Sequence, residues 1–293
     1  MMLPQTERYL DLAQQGRNQW WRYALGALVI LFFWLVLGFP PYLWLTGGGS
    51  PDPLLDYIAV NFSIVMMLGG LFLTMRVIHR RPLSSLISAE RALDWKRLSH
   101  SAAAWSVIGL IIIMVEHLLY PDRYYLSFQP ERFLAFATVA VVLTPVQTTT
   151  EELVFRGYVM QGLGLIVRLP AAVAVLSSVI FTVPHLMNPE VQQHGVVLMA
   201  ASYFAIGLLL AAVTLRDGRL ELAIGVHAAN NLLLVLVANY EGSVLKTDSI
   251  FTARELDPLY SLITLSVGAL VFYWLFFGRG HRPAADLTAD ERR

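Results

Sequence analysis

Thr144-Pro-Val-Gln-Thr-Thr-Thr-Glu151-Glu152-Leu-Val-Phe-Arg156-Gly157 sets two carboxylates and a guanidinium directly behind an apolar run. A charge facing lipid at the bilayer centre costs roughly 2.5 to 3.5 kcal/mol. If the surrounding chain crosses a membrane, these groups must face the protein interior.

The surrounding chain does read as membrane-spanning. Hydrophobic residues make up 56% of it, charged residues only 14%, and the mean hydropathy is +0.58, an excess of apolar over charged residues relative to soluble domains. Runs long enough for the hydrocarbon layer fall near 23–45, 57–75, 102–120, 133–149, 170–187, 196–215, 221–239 and 258–277. The expected fold is all-α, a polytopic transmembrane helix bundle of about eight helices. Trp20–Leu45 exceeds a signal-peptide core and no small-residue cleavage site follows it, so it reads as an anchor.

With the amino terminus in the cytoplasm, 17 of the 21 basic residues fall inside, leaving Arg123, Arg132, Lys246 and Arg254 outside. This positive-inside bias puts both termini in the cytoplasm of a cell inner (plasma) membrane. Gly47–Pro53 reads as an external loop and Arg76–Ser101 as the longest internal one, its Arg80, Arg81, Arg91, Lys96 and Arg97 meeting either anionic headgroups or water. Residues 1–132 form amino-terminal helices and a cytoplasmic loop almost free of buried ionisable groups, Glu116 and His117 excepted. Residues 133–240 form the chemical core, and 241–293 the final helix and a cytoplasmic tail.

Zero net charge without a basic stripe excludes a nucleic-acid partner, and zero cysteines exclude thiol catalysis and disulfides.

In the opening stretch, Pro145 is expected to interrupt the preceding helix, and Thr148, Thr149 and Thr150 to cap a new one over 151–166. Glu152 and Arg156, four apart, share a face and pair, whereas Glu151 projects about 100° away and stays free to take a proton from water. His185, in Phe181-Thr-Val-Pro-His185, follows a proline that weakens its helix, as is tolerated beside a cavity. In Gly225-Val-His227-Ala-Ala-Asn230-Asn231, His227 and Asn231 lie four apart, so an imidazole and a carboxamide can donate to one oxygen. Alone, the first piece also reads as a capped, salt-bridged interfacial helix, the second as a hydrogen-bonded structural histidine and the third as interhelical hydrogen bonding. Together they supply a base, a water and an oxyanion hole for amide hydrolysis.

Glu-Glu-x-x-x-Arg, Phe-x-x-x-His and His-x-x-x-Asn, in that order, resemble the CPBP family of CAAX prenyl endopeptidases and bacteriocin-processing enzymes. The likeness covers roughly 135–240, including Phe155-Arg156-Gly157-Tyr158 and Tyr203-Phe204-Ala-Ile-Gly207. It implies a membrane-embedded endopeptidase acting on a membrane protein or lipidated peptide. Glu151 and His185 would activate water, Glu152 and Arg156 would support that helix, and His227 and Asn231 would hold the oxyanion.

The family is commonly called metalloprotease, although no His-Glu-x-x-His helix is present. Glu151, His185 and His227 could hold a divalent metal such as zinc with an open fourth position, or Glu151 and His185 could work on water without one. A transporter or scaffold using the same buried Glu and His groups as a proton or cation site is the competing reading. Straight spans would also set His185 about 22 Å and His227 about 9 Å into the membrane from the same side, so the two depths conflict.

Overall fold

The computed structural model describes residues 5–48, 52–89 and 92–278. Among them, eight apolar helices follow in chain order: α1 Trp20–Thr46, α2 Pro53–His79, α3 Trp95–Leu119, α4 Pro130–Gly164, α5 Pro170–His185, α6 Val196–Asp217, α7 Glu221–Val237 and α8 Pro258–Phe277. Six are long and apolar enough to cross a membrane, while α5 and α7 are shorter. Each overlaps one expected segment. The chain is an all-α integral membrane protein.

Aspartates start three of these helices. Asp52, Asp94 and Asp257 accept from the backbone N–H of Leu54 (2.9 Å), Lys96 (3.0 Å) and Tyr260 (3.0 Å). Proline follows Asp52 and Asp257 at the first helical position, where its missing N–H costs nothing. Of the expected Gly47–Pro53 loop, residues 49–51 lie outside the described residues, as do Glu90 and Arg91 of the internal loop and the tail from residue 279. Helix α7 packs against α3 and α4, α5 against α6, and α6 against α8.

Pro145 does not interrupt α4, which runs unbroken for 35 residues. The threonines expected to cap a new helix return their hydroxyls to carbonyls one turn back, Thr148 to Thr144 at 3.0 Å and Thr150 to Val146 at 2.7 Å. With those hydroxyls engaged inside the helix, nothing terminates it. Directly after Glu152 it widens into a π-helical segment, Leu153–Val159. Side chains from elsewhere meet the carbonyls of this wide turn. Ser177 of α5 donates to the Phe155 carbonyl at 3.0 Å. The Tyr9 hydroxyl, from a short helix at Gln5–Asp11, is shared between the carbonyls of Leu86 (2.7 Å) and Arg156 (3.1 Å).

The amino-terminal half is less free of buried ionisable groups than the sequence indicates, since Asp56, His79 and Arg81 are buried there. Arg81 does not reach headgroups. Arg80 ends α2 in a left-handed conformation (φ 52°), and the chain turns Arg81 inward. Its Nε donates to the Ser85 hydroxyl at 2.7 Å and its Nη2 to Gln161 Oε1 of α4.

Three strands of three residues, β1 Tyr124–Leu126, β2 Ala238–Tyr240 and β3 Phe251–Ala253, join the end of α3, the end of α7 and the approach to α8. β3 is central, antiparallel to β1 (Tyr125 opposite Thr252) and parallel to β2 (Asn239 opposite Thr252). Such short strands carry too little alternation to be legible in sequence.

Candidate active site

A cavity of about 490 Å³ opens among the helices, its wall including Gln147 and Glu151 of α4, His185 of α5, and His227, Asn230 and Asn231 of α7. All four residues expected to do the chemistry border this one space.

Behind the wall lies the expected pair. Arg156 Nη1 donates to Glu152 Oε1 at 2.9 Å, and neither side chain is exposed. Arg156 also donates through Nη2 to the Gly207 carbonyl at 3.1 Å, and its guanidinium carbon lies 4.2 Å from the centre of the Phe181 ring. Gly207 permits this approach, since an added Cβ would lie 3.2 Å from Phe181 Cδ1 and 3.5 Å from Arg156 Nη2.

The same Glu152 oxygen lies 2.8 Å from His227 Nδ1. An ionised carboxylate only accepts, so this contact places a proton on Nδ1 and turns Nε2 away from it. His227 Nε2 lies 3.8 Å from Glu151 Oε2. The chain Arg156–Glu152–His227 thus ends at Glu151, whose other oxygen accepts from Gln147 Nε2 at 3.3 Å. Glu151 has no arginine partner, as its angular position on the helix indicates.

His185 is held separately. Its Nδ1 lies 2.8 Å from the Phe181 carbonyl, which leaves Nε2 unengaged, and its ring sits 4.5 Å from that of Phe181 and 4.7 Å from that of Tyr203. Tyr203 donates to the buried Glu190 at 2.6 Å, whose second oxygen accepts from the Val244 amide at 3.1 Å. Burial, with Glu190 adding to it, pushes the nearby Tyr240 phenol above its ordinary range. Asn231 accepts from Asn230 at 3.3 Å and borders the cavity.

The depth conflict rests on straight spans that begin at one membrane face, and the helices here differ widely in length. At 35 residues α4 is roughly 52 Å long, far beyond the hydrocarbon thickness, whereas α5 has 16 residues. Gln147 and Glu190 are cavity-wall residues that sequence reasoning does not single out, and Tyr203 and Asn230 enter it only as text around the motifs. Gln147 carries a legible signal, four residues before Glu151. The contacts of Glu190 join distant parts of the chain and carry none.

Each histidine is held at Nδ1 by a protein acceptor, as metal-bound histidines also are. Among the described residues no three His, Asp or Glu side chains are grouped to hold a metal ion, so the expected zinc set of Glu151, His185 and His227 is not assembled.

Residues 130–233 match the family described as Type II CAAX prenyl endopeptidase Rce1-like. The chain is also 29% identical to the uncharacterized protein YyaK of Bacillus subtilis (strain 168) over 276 residues, 88% of this chain and 91% of that protein. No solved structure matches. The matched segment runs from the start of α4 into α7 and contains Glu151, Glu152, Arg156, His185, His227 and Asn231. Over this segment the chain is similar to the CPBP family of CAAX proteases.

Proposed function

We propose that this protein is an intramembrane endopeptidase that hydrolyses a peptide bond of a membrane-associated protein or lipidated peptide. The observation that carries the reading is the Glu151 carboxylate, without an arginine partner among the described residues, beside His227 in a cavity it shares with His185 and Asn231. Glu151 and His185 orient a water between them. As its oxygen bonds to the scissile carbonyl carbon, its proton passes to Glu151 and the carbonyl π electrons move to oxygen. The Asn231 amide and a protonated His227 Nε2 hold that oxyanion. The C–N bond then breaks, and the leaving amine takes the proton from Glu151.

Glu152 and Arg156 act through position. Glu152 fixes which nitrogen of His227 faces the cavity, and Arg156 keeps Glu152 from standing as a lone buried charge. Residues 133–240 carry the chemistry, flanked by anchoring helices on either side, with both termini cytoplasmic and the three-stranded sheet on the far side of the plasma membrane.

A proteomic comparison of cells producing the native protein or Glu151→Gln tests this reading. New protein termini that require Glu151 are expected. Their absence, with both proteins folded and abundant, would favour a transporter or scaffold.

A further inference from the structure

His185 is the last residue of α5, so no further helical turn confines its side chain. The bond from its Nδ1 to the Phe181 carbonyl fixes one corner of the imidazole. It leaves the plane of the ring free, because the torsion that turns a histidine ring has broad wells. The direction of Nε2 is set only when a second contact fixes that plane.

Tyr203 of α6 supplies that contact. Its ring centre lies 4.7 Å from that of His185, with the two planes inclined by 38°. The Tyr203 hydroxyl is in turn held twice by the segment that follows α5, donating to Glu190 Oε1 at 2.6 Å and accepting from Asn188 Nδ2 at 3.0 Å. The other oxygen of Glu190 accepts from the Val244 N–H, in the connection between β2 and β3. Glu190 is buried, so these hydrogen bonds are what offsets its loss of water, and a charged acceptor grips a hydroxyl about twice as strongly as a neutral one. We propose that Tyr203 and Glu190 are positioning residues for His185, the tyrosine fixing the plane of the imidazole and the carboxylate fixing the tyrosine, so that Nε2 stays aimed at the water it shares with Glu151. The inference rests on the endopeptidase reading and adds to it two residues that act through His185 rather than on the reacting atoms.

The experiment uses the purified full-length protein in detergent and a peptide drawn from whichever cleavage site the terminus comparison reveals, with kcat and KM measured separately. Tyr203→Phe keeps the ring and removes its tether, Tyr203→Leu removes the ring, and Glu190→Gln keeps the shape of the anchor but turns an NH₂ toward one of the two groups that donate to it. A roughly 10-fold fall in kcat is expected for Tyr203→Phe and for Glu190→Gln, and a roughly 100-fold fall for Tyr203→Leu, the scale of a misplacement of about 1 Å. KM should stay within about two-fold, because the interaction lost is felt only in the reaction step. The double variant Glu190→Gln/Tyr203→Phe should be no slower than either single variant, since both break one link. A role confined to holding the fold would instead lower the melting temperature and multiply the two losses. That result overturns the inference, as does a rise in KM with kcat unchanged. Asn188→Ala, which removes the other bond to the Tyr203 hydroxyl, takes the place of Glu190→Gln if that variant does not fold. Cleavage that requires Glu151 but runs at the native kcat in Tyr203→Leu overturns the positioning role alone. No cleavage by the native protein removes the endopeptidase reading and this inference with it.

Discussion

Two ion-pair clusters border the same cavity, each built around an Arg–Glu pair, yet they end differently. At the sheet end, Arg123 Nη1 lies 2.7 Å from one oxygen of Glu116 and the Tyr124 hydroxyl 2.7 Å from the other. Arg123 also reaches Asp257 at 3.4 Å and lies over the Tyr120 ring at 4.2 Å. Burial first, and the Glu116 carboxylate second, push the Tyr124 phenol above its ordinary range, so its proton stays in place as a donor. The cluster closes on itself. Deeper in the bundle, one Glu152 oxygen takes both Arg156 and His227, its other oxygen has no partner among the described residues, and the chain continues through His227 to a carboxylate that none of the described arginines pairs with. Buried charge alone therefore does not mark chemistry. What marks it is a reactive group left unfinished beside open space.

Three substitutions and one treatment sharpen this contrast. The largest effect is expected from Glu151→Gln, which keeps shape and hydrogen bonding but removes the base. Activity should fall by roughly 10²- to 10⁴-fold with the melting temperature unchanged, as steady-state kinetics and thermal unfolding in detergent would show. Retained activity would break the contrast. Arg156→Ala should destabilise the protein by about 3 to 5 kcal/mol, because Glu152 is then buried without its cation, and activity should fall with it. An unchanged unfolding curve would mean that the pair is solvated.

Glu116→Gln tests the closed cluster. It should cost about 1 to 2 kcal/mol in stability, the scale of a hydrogen bond to a charged group, and leave kcat/KM nearly unchanged. A loss of activity like that of Glu151→Gln would show that the two clusters are not functionally distinct. The smallest effect is expected from a strong chelator, which should leave turnover as it is, because the side chains are not grouped as ligands. Inactivation that zinc restores would show that they regroup around a metal.

Much of this site is legible in sequence because its local geometry is helical. Spacing of four predicts the Glu152–Arg156 contact, and the angular offset predicts that Glu151 lacks an arginine. Spacing also puts His227 and Asn231 on one cavity wall. The link from Glu152 to His227 crosses 75 residues, and no periodicity encodes it. Pro145 misleads for a physical reason. Proline removes one N–H but does not force an end when neighbouring hydroxyls bond back to the helix, and the sequence does not show which way a threonine hydroxyl will turn. Arg81 misleads similarly, because burial by neutral partners on two separate segments leaves no charge pattern to read.

The wide turn of α4 separates two alignments that a regular helix would lock together. Before it, Glu151 and Glu152 are set by the cavity and by His227. After it, Gln161 meets Arg81, Gly162 lies against Tyr23 and Gly164 against Leu10, all in the amino-terminal part of the chain. Deleting Val159 alone would restore ordinary pitch but swing everything downstream by about 100° and draw it back by about 1.5 Å, carrying those three contacts out of phase. One surplus residue thus acts as a phase shifter, letting the cavity register and the anchoring register be tuned independently along a single helix.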